Sequence, residues 1–179
     1  MTASLLGAAA PGFDRPLAVL AACHGRIAKQ CDTLEKLLAH LPVHGADAQA
    51  QQAARAVLAY FDTAAVQHHD DEERNLFPLL ERVGASGACD LVELLTHEHD
   101  ALALLWRRLR VLLQQIETGA TATLDEALAR RFISLNRSHL EFENTRVLPL
   151  AHQVLGVAEI ERLGRAMAAR RGVPFAVLS

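Results

Sequence analysis

A chain of 179 residues with a net charge of −3 and only 10 Gly and 6 Pro fits one domain. About half of it is hydrophobic (51%) and only 4% is aromatic, a composition that suits an all-helical globular protein rather than a sheet or a disordered chain. The weak charge and a pI near 6.3 remove any electrostatic case for nucleic acid or an acidic membrane surface, and no stretch of about 20 apolar residues reads as a membrane span.

Residues 1–13 are mostly small and apolar with no leading positive charge, and read as a tail or packed arm rather than a signal peptide. Asp14-Arg15-Pro16 opens helix 1, with Asp14 as the cap candidate and proline in the first turn. Pro42 and Gly45 are expected to end it near Leu41. Its apolar stripe, Leu17, Leu20, His24, Ile27, Cys31, Leu34 and Leu38, advances in threes and fours, so His24 sits on the buried face. Helix 2 starts near Asp47, and its stripe is Val57, Phe61, Ala64, His68, Glu72 and Leu76. A histidine and a glutamate interrupt an apolar face there, and Pro78 predicts a kink or a break.

After the turn Gly84-Ala85-Ser86-Gly87, helix 3 runs from about Asp90 to just before Gly119. Its stripe is Leu91, Leu95, His99, Leu102, Trp106, Leu109 and Leu113. Thr123-Leu124-Asp125-Glu126 reads as a capping box opening helix 4, whose stripe includes Leu128, Phe132, Leu135, His139, Glu143, Val147 and Leu150. A shorter helix, about Ala158 to Arg171, closes on Gly172 and Pro174. The expected organisation is an arm (1–13), an up-down four-helix bundle (14–155) and a C-terminal helix packed on it (156–179). Cys23, Cys31 and Cys89 are an odd set without a CxxC pair, which favours a reducing, cytoplasmic setting.

One frame occurs twice. His68 and Glu72 stand four apart with Pro78 ten residues after the histidine; His139 and Glu143 stand four apart with Pro149 ten residues after. Residues i and i+4 share a helix face. His24 and His99 precede the two frames on the neighbouring helices, so the chain reads as a duplicated helix pair. At 1.5 Å per residue, these histidines lie roughly 26 to 32 Å from the shared bundle end in all four helices. His24, His68, Glu72, His99, His139 and Glu143 therefore fall in one layer. Buried carboxylates cost several kcal/mol without a partner, and no lysine or arginine lies on these stripes at that level. A pair of divalent cations is the natural counter-charge, and imidazole with carboxylate suits iron, with manganese or zinc as alternatives. The rival reading is a polar core layer satisfied by hydrogen bonds.

The other histidines read as structural or exposed: His40 and His44 at a helix end and loop, His69 turned to another face, His97 pointing away, His152 exposed. Asp70, Asp71, Glu73 and Glu141 read as a solvated acidic face, and Glu98 as a surface residue or one behind the ligands. Cys23, Cys31, Tyr60 and Trp106 read as core packing.

These pieces resemble the hemerythrin-like, HHE cation-binding family: His24, His68-x3-Glu72 with Leu76-Phe77-Pro78, Glu98-His99, and His139-x3-Glu143 with Leu148-Pro149. The resemblance implies a four-helix bundle around a non-haem centre of two iron ions, Fe2+ or Fe3+ with an oxo or hydroxo bridge. With Leu95 four before His99 and Asn144 five after His139, the set is nearer the repair-of-iron-centres type than oxygen-carrying hemerythrin. The implied role is binding or sensing O2, NO or peroxide, or handling iron under oxidative or nitrosative stress. A di-iron oxidoreductase (peroxidase, catalase-like or NO-handling) and an interaction module with a structural metal are the alternatives.

Overall fold

The computed structural model describes residues 11–84 and 86–175. Most of the expected N-terminal arm, and the last four residues of the C-terminal segment, lie outside them. Among the described residues every regular element is helical: α1 (Pro16–His44), α2 (Ala48–Phe61), α3 (Ala64–Asp71), α4 (Phe77–Arg82), α5 (Ala88–Glu117), α6 (Glu126–Phe142), α7 (Leu148–Val154) and α8 (Val157–Arg170). Two π-helical turns, Glu72–Leu76 and Glu143–Val147, join α3 to α4 and α6 to α7. The four rods are thus α1, α2–α4, α5 and α6–α7. α1 packs on α2 and α6, and α5 packs on the same two, which closes the ring of a bundle. None of these helices is long and apolar enough to cross a membrane.

Several helix boundaries differ from the sequence reading, each for a local reason. α1 continues through Pro42 to His44, and Gly45, at φ +68°, ends it with its N–H on the Leu41 carbonyl. It opens at Pro16 with no side-chain cap from Asp14. The cap of α6 is Asp125, whose carboxylate accepts from Leu128 N at 2.9 Å, so the cap lies two residues after the expected Thr123. The second rod breaks at Asp62–Thr63. There the Thr63 hydroxyl donates back to the Ala59 carbonyl, and Trp106 and Arg110 hold the Asp62 carboxylate. A side chain that competes for its own helix's carbonyls loosens the ladder.

Neither Pro78 nor Pro149 ends its helix. A proline inside an α-helix lacks a donor and crowds the carbonyl four residues back. Here the turn before each proline widens to π register: Phe77 N–H bonds the Glu72 carbonyl, and Leu148 N–H bonds Glu143. Both helices then continue, and both wide turns begin at the glutamate of the frame. π-turns inside α-helices often lie at functional sites.

The apolar interior is two clusters, not one. In α1 one cluster ends at Cys23 and the other begins at Ile27; in α5 the boundary falls between Leu95 and Leu102. In the second rod it falls between Ala65 and Leu76, and in the fourth between Leu140 and Val147. His24, His68/Glu72, His99 and Glu143 occupy these gaps, with His139 just before the last of them, so a polar slab crosses the bundle at one level. α8 covers the first half, packing on α1, α3 and the first π-turn. It approaches closely at Gly164, where a Cβ would come within 2.0 Å of the Phe13 carbonyl oxygen.

Candidate metal centre

The structure brings all six candidate residues together, none more than 3% exposed. Each frame histidine lies beside its own glutamate: His68 Nε2 is 3.4 Å from Glu72 Oε1, and His139 Nε2 is 3.4 Å from Glu143 Oε2. The carboxylates also reach across the layer. Glu72 lies 3.7 Å from His24 Nε2 and 3.6 Å from His99 Nε2, and Glu143 lies 3.2 Å from His24 Nε2. Both glutamates therefore face imidazoles of both halves, the arrangement that bridging would require.

Three imidazoles are oriented from behind. His24 Nδ1 donates to Asn144 Oδ1, His99 Nδ1 to Glu73 Oε1 and His139 Nδ1 to Glu98 Oε2, each at 2.7 Å. Those bonds use the Nδ1 proton, so in each neutral ring Nε2 carries a lone pair aimed into the centre. His99 Nε2 and His139 Nε2 stand 3.1 Å apart. Two lone pairs at that distance repel. It is also about the spacing of two adjacent donors on one ion with metal–nitrogen bonds of about 2.1 Å. His24 Nε2, both ring nitrogens of His68, Glu72 Oε2 and both Glu143 oxygens are buried without a hydrogen-bond partner. Such atoms are costly unless satisfied. This overturns the reading of a hydrogen-bonded polar layer and fits cations.

The acid–base behaviour of the metal-free groups has the same origin. Burial, reinforced by neighbouring histidines, holds His68 well below its ordinary value. Burial and the nearby His139 bring His99 down to about 3, and burial with His99 and His139 brings His69 to about 3. Burial and the charge of Glu143 push Glu72 well up. Burial also opposes charge on Glu143, but the close approach of His24 at 3.2 Å and the charges of His139 and His24 hold it below the usual carboxylate value. Burial would lower His24, yet the carboxylates of Glu143 and Glu72, 3.2 and 3.7 Å from its Nε2, outweigh it and raise this ring to about 10. Without metal, His68, His69 and His99 are thus kept neutral, while His24, Glu72 and Glu143 hold a proton among them, a positive charge where a cation would otherwise sit.

The donors form two groups, His24/His68/Glu72/Glu143 and His69/His99/His139, each with ligand atoms within 4.8 Å of one another. His69 is the correction here. The ideal helical wheel turns it away, but its ring stacks on His99 at 4.0 Å and 14°. At a four-helix interior the buried arc is wide enough for two adjacent positions, and the spacing Phe61, Ala65, His69 was the available signal. Asp71 does not belong to a solvated acidic face, and Glu73, though 41% exposed, turns its carboxylate to an inward ring. Glu73 reaches His99 because the π-turn swings it round. Asp71 is fully buried and paired with Arg170 and with Arg171, the latter at 2.7 Å. His40 bonds Asp47 and stacks on His44, while His97 bonds the Glu93 carbonyl of its own helix; none of these three faces the centre.

Comparison with known proteins places these residues in a family context. The family model for the Hemerythrin HHE cation binding domain matches residues 15–151. A protein of Haemophilus influenzae, described as an uncharacterized protein, is 30% identical over 161 residues, which is 90% of this chain and 92% of the relative.

Proposed function

The chain belongs to the hemerythrin HHE cation-binding family, and on that premise we propose that it is a non-haem di-iron protein that binds or senses O2, NO or peroxide, or handles iron under oxidative or nitrosative stress. The observation that carries this reading is the convergence of possible ligand atoms: among the described residues, imidazole nitrogens and carboxylate oxygens meet in a dry layer, most of them without a hydrogen-bond partner. His24, His68, His99 and His139 would supply nitrogen, and Glu72 and Glu143 would bridge. A bound iron pair supplies redox chemistry and open positions for a small exogenous ligand.

The protein's own part is orientation and exclusion. Asn144, Glu73 and Glu98 fix ring direction and tautomer, and such partners commonly matter 10- to 100-fold in metal affinity. The apolar clusters above and below the layer keep out water, so charges within it interact strongly. A cytoplasmic setting belongs to the same proposal and is supported by three free cysteines.

The test is anaerobic iron loading followed by metal analysis, with optical and Mössbauer spectra recorded before and after O2, NO and peroxide. Two irons per chain and a spectral change with at least one of these ligands are expected. Binding of no iron removes the proposal, and iron binding with spectra indifferent to all three reduces the metal to a structural one.

A further inference from the structure

We propose that His69 is a fifth imidazole donor of the centre and its displaceable one, standing between the cation position of His99 and His139 and an apolar cavity that admits a small neutral molecule. The inference rests on the reading of the layer as a centre for two cations. It adds a residue outside the repeated frame and a direction of approach.

Three observations converge on His69. Its donor atom lies within 4.8 Å of those of His99 and His139, close enough for one ion to take all three. Its counterpart in the second frame is Leu140, an apolar residue, so the repeat itself does not require a histidine there. And it lines a cavity of about 90 Å³ whose other walls include Phe61, Val66, Leu102, Trp106 and Phe132. The three aromatic rings pack at 4.9 to 5.7 Å. Val66, 52% exposed, lies on the outer side. The cavity thus has exposed Val66 on one wall and His69 and buried Asn136 on others.

Size and lining set the ligand class. The volume equals about three water molecules at about 30 Å³ each. A wall that is apolar apart from His69 and Asn136 penalises an ion by several kcal/mol and a neutral molecule of two to four heavy atoms very little. Among the described residues no hydrogen bond holds the His69 ring, whereas His24, His99 and His139 are each tied through Nδ1; His68 is also untethered, but it is fully buried and does not line the cavity. A donor without such a tether is the one an arriving ligand can push aside.

The experiment uses the whole chain, anaerobic Co2+ titration and the fluorescence of Trp106, the chain's one tryptophan, which sits in the cavity wall. Wild type is expected to bind two Co2+. His69→Ala should leave the first at unchanged affinity and weaken the second at least ten-fold. Millimolar imidazole should restore the second site in His69→Ala but not in His69→Leu, which fills the space as Leu140 does in the other half. Ala65→Leu, which narrows the cavity, should keep both cations and slow quenching of Trp106 by dissolved O2 several-fold. Circular dichroism establishes that each variant is folded. Two equally tight sites in His69→Ala, or a weakened site that imidazole does not rescue, would overturn the role of His69. Unchanged quenching in Ala65→Leu would overturn the route. Absence of any cation binding by wild type would instead sink the metal centre itself.

Discussion

Glu98 precedes His99 in the second half of the bundle; Cys23 precedes His24 at the matching place in the first. The consequence is chemical. Glu98 accepts from His139 Nδ1, while His68, the corresponding ring, has both nitrogens buried without a partner. One residue after each frame glutamate the pattern crosses over: Glu73 supports His99 of the second half, and Asn144 supports His24 of the first. Both second-half imidazoles are therefore backed by carboxylates, and the first-half pair by one neutral amide. The first half is instead fastened from outside. Asp71 is clamped by Arg170 and Arg171 of the C-terminal segment, where the second half has Phe142. A duplicated frame has thus been made unequal by its neighbours: stronger donors on one side, a firmer scaffold on the other.

Removing metal should erase the difference and give the largest effect. At a thousand-fold excess over Kd, a bound ion adds about 4 kcal/mol of stability, so chelation should lower the melting temperature by about 8 to 16 °C. The metal-free protein should also show a distinctive pH profile. His69 and His99, lowered to about 3, contribute stability that is complete above the unfolded value of 6.5 and is lost as pH falls toward 3. His24, raised to about 10, contributes below 6.5 and loses it as pH rises through 10. Thermal melts across that window should peak near 6.5 without metal, and the alkaline decline should vanish on loading.

Next in size is the clamp. Asp71→Ala leaves the largely buried Arg171 without that carboxylate and Arg170 with only Asp70 at 3.9 Å, and should cost about 3 kcal/mol, measured by urea unfolding, while Phe142→Leu should cost far less. Equal losses would remove the asymmetry of scaffold. Glu98→Ala should weaken metal binding about 10- to 100-fold by chelator competition, with unfolding of the metal-free form little changed. The smallest effect sharpens the contrast: Asn144→Asp gives His24 a carboxylate like that behind His99, and affinity should rise by a few-fold. A fall would show that the amide, not charge, is what His24 requires.

Much of this was legible in order along the chain. The threes and fours of the apolar stripes set the rods, and the paired HxxxE frames with their prolines marked the layer at which polar residues interrupt the core. His69, Glu73 and Asp71 were not legible. Each was placed by an ideal helical wheel, and the wheel fails where the helix opens into a π-turn and where the interior is wide enough to take two neighbouring positions. The partners of Glu73 and Asp71 also lie far off in sequence, at His99 and at Arg170 and Arg171.

By itself the sequence determined the helices, the repeat and the six inward-facing donors, because helical periodicity is a local property that needs no knowledge of the partner rod. Only the tertiary structure decided which carboxylate stands behind which imidazole, that His69 joins the layer, and where the cavity opens. Those depend on how side chains distant along the chain pack against one another; spacing along one rod, such as Phe61, Ala65 and His69, marks a face but not the partners that meet it.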